Sequence, residues 1–230
     1  MISKRSKEIK KNVESDKLYT FAEAVDIIKK CPTLKFDETI DMSIKLGVDT
    51  RKADQQVRGT VTLPHGTGKT ISIVVIAQGD KVQEAIDAGA DHVGNKEIIE
   101  KIKGGWTGFD VIIATPDMMR EIGKLGKILG PRGLMPTPKA GTVTMDVAKA
   151  VKEVKLGKIE YKFDKHGVIN LAVGKLSFDA ENIVDNIKTV LKAIWRAKPA
   201  AVKGKYIQSL FISSTMGPGI KIEEKEIQLT

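Results

Sequence analysis

Gly66-Thr67-Gly68-Lys69-Thr70 reads like the end of a P-loop, in which backbone N–H groups and a lysine hold nucleotide phosphates. That motif needs another glycine five residues before Gly68, where this chain has Leu63. A flexible crossing between two parts of the chain accounts for the glycines better. Gly123, Gly126 and Gly130, spaced GxxGxxxG, miss the dinucleotide fingerprint and read as interrupting a helix to make a loop. His65, His92 and His166 are the only histidines, and no pair has metal-ligand spacing. Proton transfer between Asp54 and His65 would need the two in contact, and nothing in the sequence brings them together. No G-x-S-x-G nucleophile is present. The single cysteine, Cys31, excludes an internal disulfide framework and a cysteine-based zinc cluster. The sequence therefore offers no catalytic residue and no metal ligand set, and it implies no cofactor.

What remains is charge. Lys and Arg total 38 against 29 Asp and Glu, a net +9. Residues 1–66, 67–158 and 159–230 each carry an excess of three positive charges, so this is no basic tail on a neutral body. Two spots are denser: Lys4, Arg5, Lys7, Lys10, Lys11 and Lys17 in one, and Arg120, Lys124, Lys127, Arg132 and Lys139 in the other. Such a balance favours a polyanionic partner, nucleic acid first. The 41% hydrophobic content excludes a mainly disordered chain. No apolar run approaches the ~18 residues of a membrane span, and the basic start MISKRSKEIKKN leads into no apolar stretch. A cytoplasmic protein without a membrane partner is expected.

Three segments suit nucleic-acid contact. Gly130–Gly141 combines prolines, glycines, Arg132 and Lys139, which makes it either a rigid connector or a phosphate-contacting loop. Ser213–Gly219 offers hydroxyls and turn N–H groups that reach phosphate and 2′-OH oxygens, with Met216 able to pack on a ribose; it could also simply end a sheet. In Lys35–Thr39, Phe36 stands on a polar approach to a strand, packed on the sheet end or exposed on an RNA-facing rim with Lys35 and Thr39. Aromatics are few, the RNA-recognition-motif signature is absent, and most aromatics fall on apolar faces, where core packing is the default.

Two patterns must position these segments. Ile40, Met42, Ile44, Leu46 and Val48 alternate with polar residues, predicting a strand buried on one face. Val57, Val61 and Leu63 continue that pattern. Ile159, Tyr161 and Phe163, then Ile169, Leu171 and Val173 beyond the turn-like Asp164–Gly167, predict a β-hairpin. Helices are expected from the stripe Phe21–Ile28, ended by Pro32, and from Asp179, which caps Ala180, Ile183, Ile187, Val190, Leu191 and Ile194. Tyr206–Ser213 is a last strand. In the middle, Ile71–Ala77 and Val111–Ala114 suit strands buried on both faces of a parallel sheet. Helices Val82–Ala88, Glu97–Lys103 and Asp117–Ile122, with Asp117 as N-cap, alternate with them.

The pattern predicts an α+β discontinuous domain, an antiparallel or mixed sheet with helices on one face, from residues 1–66 and 159–230. Residues 67–158 form an inserted α/β three-layer, Rossmann-like domain. Glycine-containing crossings near 66–70 and 156–159 would act as a hinge.

The runs LGVDTRKADQQVRGTVTLPHGTGK (46–69), GKLGKILGPRGLMPTPKAGTV (123–143) and SSTMGPG (213–219) resemble the bacterial ribosomal protein L-one family, of the mobile stalk beside the tRNA exit site. The likeness extends over the whole chain. Thr50 stands where many relatives have proline and Gln56 where asparagine is usual. The resemblance implies binding to the stalk region of 23S rRNA in the large ribosomal subunit, help in releasing deacylated E-site tRNA, and repression of the protein's own operon mRNA. It also implies a monomer when free. Carried over by residue, the RNA face is Lys35, Phe36 and Thr39, the turn Lys165, His166 and Gly167, and Ser209, Thr215, Met216 and Gly217. Arg51, Lys52 and Arg58, and in the insert Arg132 and Lys139, are further candidates. The rival classes are a nucleotide-binding enzyme, a non-specific DNA binder and a tRNA-binding factor acting off the ribosome.

Overall fold

The computed structural model describes Ile9 and residues 13–14, 17–32 and 34–228. Lys4, Arg5, Lys7, Lys10 and Lys11 of the first basic cluster lie outside them. In chain order the elements are α1 (Phe21–Lys30), β1 (Thr39–Leu46), β2 (Arg58–Thr62), β3 (Ile73–Ile76), α2 (Asp80–Asp87), β4 (His92–Gly94), α3 (Lys96–Lys103) and β5 (Val111–Ala114). There follow α4 (Met119–Ile122), α5 (Gly126–Leu129), α6 (Val147–Lys155), β6 (Lys158–Lys162), β7 (Val168–Lys175), α7 (Ala180–Arg196), β8 (Ile207–Ser214), β9 (Ile220–Lys221) and α8 (Glu224–Gln228). Contacts divide the chain into two units, Met1–Gly68 with Ile159–Thr230, and Lys69–Lys158.

The first unit is built on a four-stranded sheet of order β7-β1-β8-β9 with antiparallel neighbours. The alternation along β1 puts Ile40, Met42, Ile44 and Leu46 on one face, each at most 1% exposed. They pack with Phe21, Ala24, Val25 and Ile28 of α1 and Ile183, Ile187, Val190, Leu191 and Ile194 of α7. Burying each such aliphatic side chain is worth about 1.5–3 kcal/mol, which fixes the face that turns inward. Helix α1 starts at a capping box: the Thr20 hydroxyl accepts the Glu23 N–H at 3.3 Å, and the Glu23 carboxylate accepts the Thr20 N–H at 3.0 Å. Asp179 is at the N-cap of α7 but makes no side-chain cap bond.

The expected hairpin is corrected. Strand β6 pairs with β2 in a separate two-stranded sheet, while β7 pairs with β1. The turn itself forms, with the Asp164 N–H donating to the Val168 carbonyl at 2.9 Å. Beyond it the chain changes partner, because the Leu46 N–H takes the Gly167 carbonyl at 2.8 Å and draws β7 onto β1. Gly59 lets β2 lie close to Tyr161, whose hydroxyl would be 2.5 Å from an added Cβ.

In the second unit β4-β3-β5 form a parallel sheet. All four residues of β3 are buried, and alternate ones feed opposite layers. Ile73 and Val75 pack with Ala85 of α2 and Val147, Ala150, Val151 and Val154 of α6. Val74 and Ile76 pack with Ile98, Ile99 and Ile102 of α3 and with Met118, Ile122, Leu125 and Leu129. Two further expectations are corrected. Asp117 lies inside a 3-10 turn, Pro116–Met118, and is not a helix N-cap. Gly123 and Gly126 hold right-handed helical backbone angles in a run of short helical turns, because buried Ile122, Leu125 and Leu129 anchor that run to the sheet.

Candidate nucleic-acid interface

One end of the four-stranded sheet joins residues from distant parts of the chain. The Thr215 hydroxyl accepts the Thr39 N–H at 3.0 Å, and the Thr215 N–H donates to the Thr39 carbonyl at 3.0 Å. The next N–H, that of Met216, donates to the Glu38 carboxylate at 3.0 Å, and Glu38 is only 2% exposed. The Gly217 N–H closes the turn on the Ser214 carbonyl at 3.0 Å, and a side chain at 217 would collide with the Ser214 hydroxyl. On the other side of β1, the Lys175 ammonium donates to the Thr39 hydroxyl at 2.9 Å. The Asp37 carboxylate accepts the N–H and hydroxyl of Ser177 at 3.1 and 2.8 Å. A turn pinned at so many points holds Met216 outward at 59% exposure. Phe36, at 54%, is on an exposed rim and not packed on the sheet end. It and Lys35 edge a surface hollow with Lys29, Asp37 and Ser177.

The second group lies at the opposite end of β1, roughly 24 Å away at ~3.4 Å per residue. Here Lys165, His166 and Gly167 form the turn before β7. The Asp164 carboxylate accepts the N–H groups of His166 and Val168 at 2.8 and 2.9 Å. The Val168 and His166 bonds hold that carboxyl below its ordinary value. Gly167 has φ of 73°, a left-handed angle that other residues resist. The Lys45 ammonium reaches the His166 carbonyl, and the Thr50 hydroxyl donates to the Lys165 carbonyl at 3.0 Å. Lys165 and His166 are exposed while Gly167 is buried, so the two side chains and not the glycine face solvent. Arg51 and Lys52, both exposed, follow Thr50, and Ser209 opposes Lys45 in the strand register. Arg58 is bound in an ion pair with Glu160.

In the second unit, Arg132 donates to the Thr107 hydroxyl. Lys139 is exposed on the 3-10 turn Pro138–Ala140, which Thr137 caps by accepting the Ala140 N–H at 3.3 Å and which Gly141 ends at φ 66°.

The nucleotide and acid–base readings find other geometry. Lys69 is paired with Asp110, and its loop leads into β3 instead of the helix a P-loop needs. His65 is 3.8 Å from Asp185, not beside Asp54, and its N–H donates to the buried Asn186 side chain at 3.2 Å. His92 meets the Trp106 ring edge-on at 5.0 Å. Among the described residues, no group of three or more His, Cys, Asp or Glu is placed to hold a metal, and no helix is long and apolar enough to cross a membrane.

The model of the Ribosomal protein L1p/L10e family matches residues 27–218. The chain belongs to this family. It is 63% identical over 227 residues to the large ribosomal subunit protein uL1 of Protochlamydia amoebophila, covering 99% of this chain and 96% of that one. It is 58% identical over 224 residues to the protein of the same name from Chlamydia caviae, covering 97% of each. Members of this family are structural, non-enzymatic proteins, and this chain is no enzyme.

Sequence reasoning missed Glu38 and Lys175, which hold the first group in place. Glu38 adjoins the flagged Lys35–Thr39 segment, but a carboxylate before a strand gives no sign that it will be buried. Phe211 was also missed, because an aromatic in a strand reads as core by default. The register turns it outward, at 38% exposure.

Proposed function

We propose that this protein is a cytoplasmic constituent of the large ribosomal subunit that binds the stalk region of 23S rRNA through the Thr39–Thr215 end of its sheet. The supporting observation is the turn Thr215-Met216-Gly217, pinned by Thr39 and by buried Glu38 with Met216 left exposed. A turn with so little freedom loses little entropy on binding. It presents hydroxyls, N–H groups and an apolar thioether to a folded RNA, the equipment that shape and 2′-OH recognition need. Lys35, Phe36 and Thr39 complete this end. Lys165, His166, Arg51, Lys52 and Ser209 supply a second contact region at the other end, with Gly167 shaping its turn. Arg132 and Lys139 give the second unit its own phosphate contacts.

The two units act as domains, residues 1–66 with 159–230 and residues 67–158, turning on the crossings at 66–70 and 156–159. That motion, carried with the stalk, assists release of deacylated tRNA from the E site. The same RNA surface represses the protein's own operon mRNA through a site resembling the rRNA. The free protein is a monomer.

Filter binding to the stalk fragment of 23S rRNA, against tRNA and duplex DNA across a salt series, tests the reading. Tight binding to the stalk alone, with a modest salt slope, is expected. Equal and steeply salt-dependent binding to all three would leave only net charge at work.

A further inference from the structure

Among the described residues, helices pack on one face of the first unit's sheet, and the strand registers define what the other face carries. One row across it runs Asn170, Ser43, Phe211, Lys221 over β7, β1, β8 and β9. Phe211 is the large apolar group of that row, and its neighbours along β8, Ser209 and Ser213, are small. Phe211 is 38% exposed, and Gly219 beside it adds no side chain over the ring; a Cβ there would touch the ring at 4.0 Å. The Ser43 hydroxyl donates to the Asn170 side-chain oxygen at 2.7 Å, so the amide NH2 is the donor that Asn170 brings to this exposed position. The registers put Lys45, Lys175, Lys221 and the carboxylate of Asp41 on this face. A partly exposed aromatic among hydroxyls, an amide and cations is complementary to a nucleotide, with a π-face, hydrogen-bonding edges and a phosphate. The face is also continuous with Thr39 and Thr215 at its end.

We infer that this face takes one unpaired nucleotide of the bound RNA, its base stacked on Phe211 and its phosphate beside Lys221. The inference rests on the rRNA-binding reading above and adds to it a stacking position in the middle of the sheet.

The test uses the full chain and the stalk fragment of 23S rRNA. Phe211→Ala is expected to weaken binding about tenfold, equivalent to roughly 1.4 kcal/mol. Phe211→Leu, which keeps apolar bulk without a π-face, should lose nearly as much. Phe211→Trp should keep the affinity, and its added indole emission should be quenched by RNA beyond any change shown by Trp106 and Trp195 in the parent. Wild-type affinity in Phe211→Ala and Phe211→Leu, with Met216→Asp still impaired, would overturn the stacking position while the rRNA reading stands. A sheet face that docks a neighbouring protein instead would give that result. Wild-type affinity in all of them, Met216→Asp included, would overturn both.

Discussion

The buried Glu38 carboxylate accepts the backbone N–H of Met216 at 3.0 Å, across 178 positions of sequence. A residue just before the first strand thus sets the position of a turn just after β8. Glu38→Ala removes that acceptor and is expected to cost about 1 kcal/mol, because a part-buried N–H loses its partner. Glu38→Gln keeps an acceptor oxygen and should cost less. Urea unfolding measures the stability, and filter binding should show RNA affinity falling in the same order.

Thr215→Val tests the hydroxyl separately from the turn. It leaves the Thr39 N–H without its 3.0 Å acceptor but keeps the volume of the side chain. Destabilisation of about 1 kcal/mol is expected. Loss of stalk RNA affinity should be clearly larger than for Lys139→Ala, which changes one exposed cation on the second unit.

Asn186 ties the first crossing to the first unit. Its amide nitrogen donates to the Gly66 and Val173 carbonyls at 3.1 and 2.8 Å, and its oxygen accepts the His65 N–H at 3.2 Å. Asn186→Leu, similar in volume, should destabilise by about 2 kcal/mol, since it leaves one buried and two part-buried backbone groups without a partner. A urea midpoint equal to that of the parent would contradict this account of the crossing.

Burial, reinforced by the nearby Tyr161, pushes the Tyr206 hydroxyl from 10.0 up to about 12. The folded value exceeds the unfolded one, so this contribution to stability is whole below pH 10 and is lost as pH climbs towards 12. Urea midpoints at pH 9 and pH 11 should differ more in the parent than in Tyr206→Phe. The subtraction removes what lysine titration does to both.

The proposed hinge makes a kinetic prediction. Gly66 and Gly157 hold φ of 67° and 96°, angles that resist any Cβ. A Gly66→Ala, Gly157→Ala variant should slow translocation in reconstituted translation more than it weakens stalk RNA binding. Unchanged elongation would make the crossings incidental to the motion.

Much of the fold was legible because burial writes itself into local periodicity. The alternation Ile40–Leu46 announced a one-faced strand, and the run Ile73–Ile76 a strand buried on both sides. What depended on partner choice was not legible. The Asp164–Gly167 turn looks like a hairpin turn, yet β7 pairs with β1 along a whole ladder, from Lys45–Val168 to Thr39–Lys175. Gly123 and Gly126 read as breakers, but the apolar residues around them hold the backbone helical. At the candidate site, Thr215, Met216 and Phe36 stood out by type and by family resemblance. Glu38 did not, because its role is to meet a backbone N–H at the far end of the chain. Neither did the separation of the candidates to opposite ends of β1, which follows from antiparallel pairing with β7 and β8.

The central claim is that the Thr215-Met216-Gly217 turn is where RNA is read. The most direct test is the affinity of Met216→Asp for the stalk fragment, with its urea midpoint measured alongside. Met216 is exposed, so stability should stay within about 0.5 kcal/mol of the parent. Affinity should fall by about tenfold or more, as a carboxylate meets the RNA backbone. Parent-like affinity in a folded Met216→Asp protein would contradict the account and place RNA recognition elsewhere on the molecule.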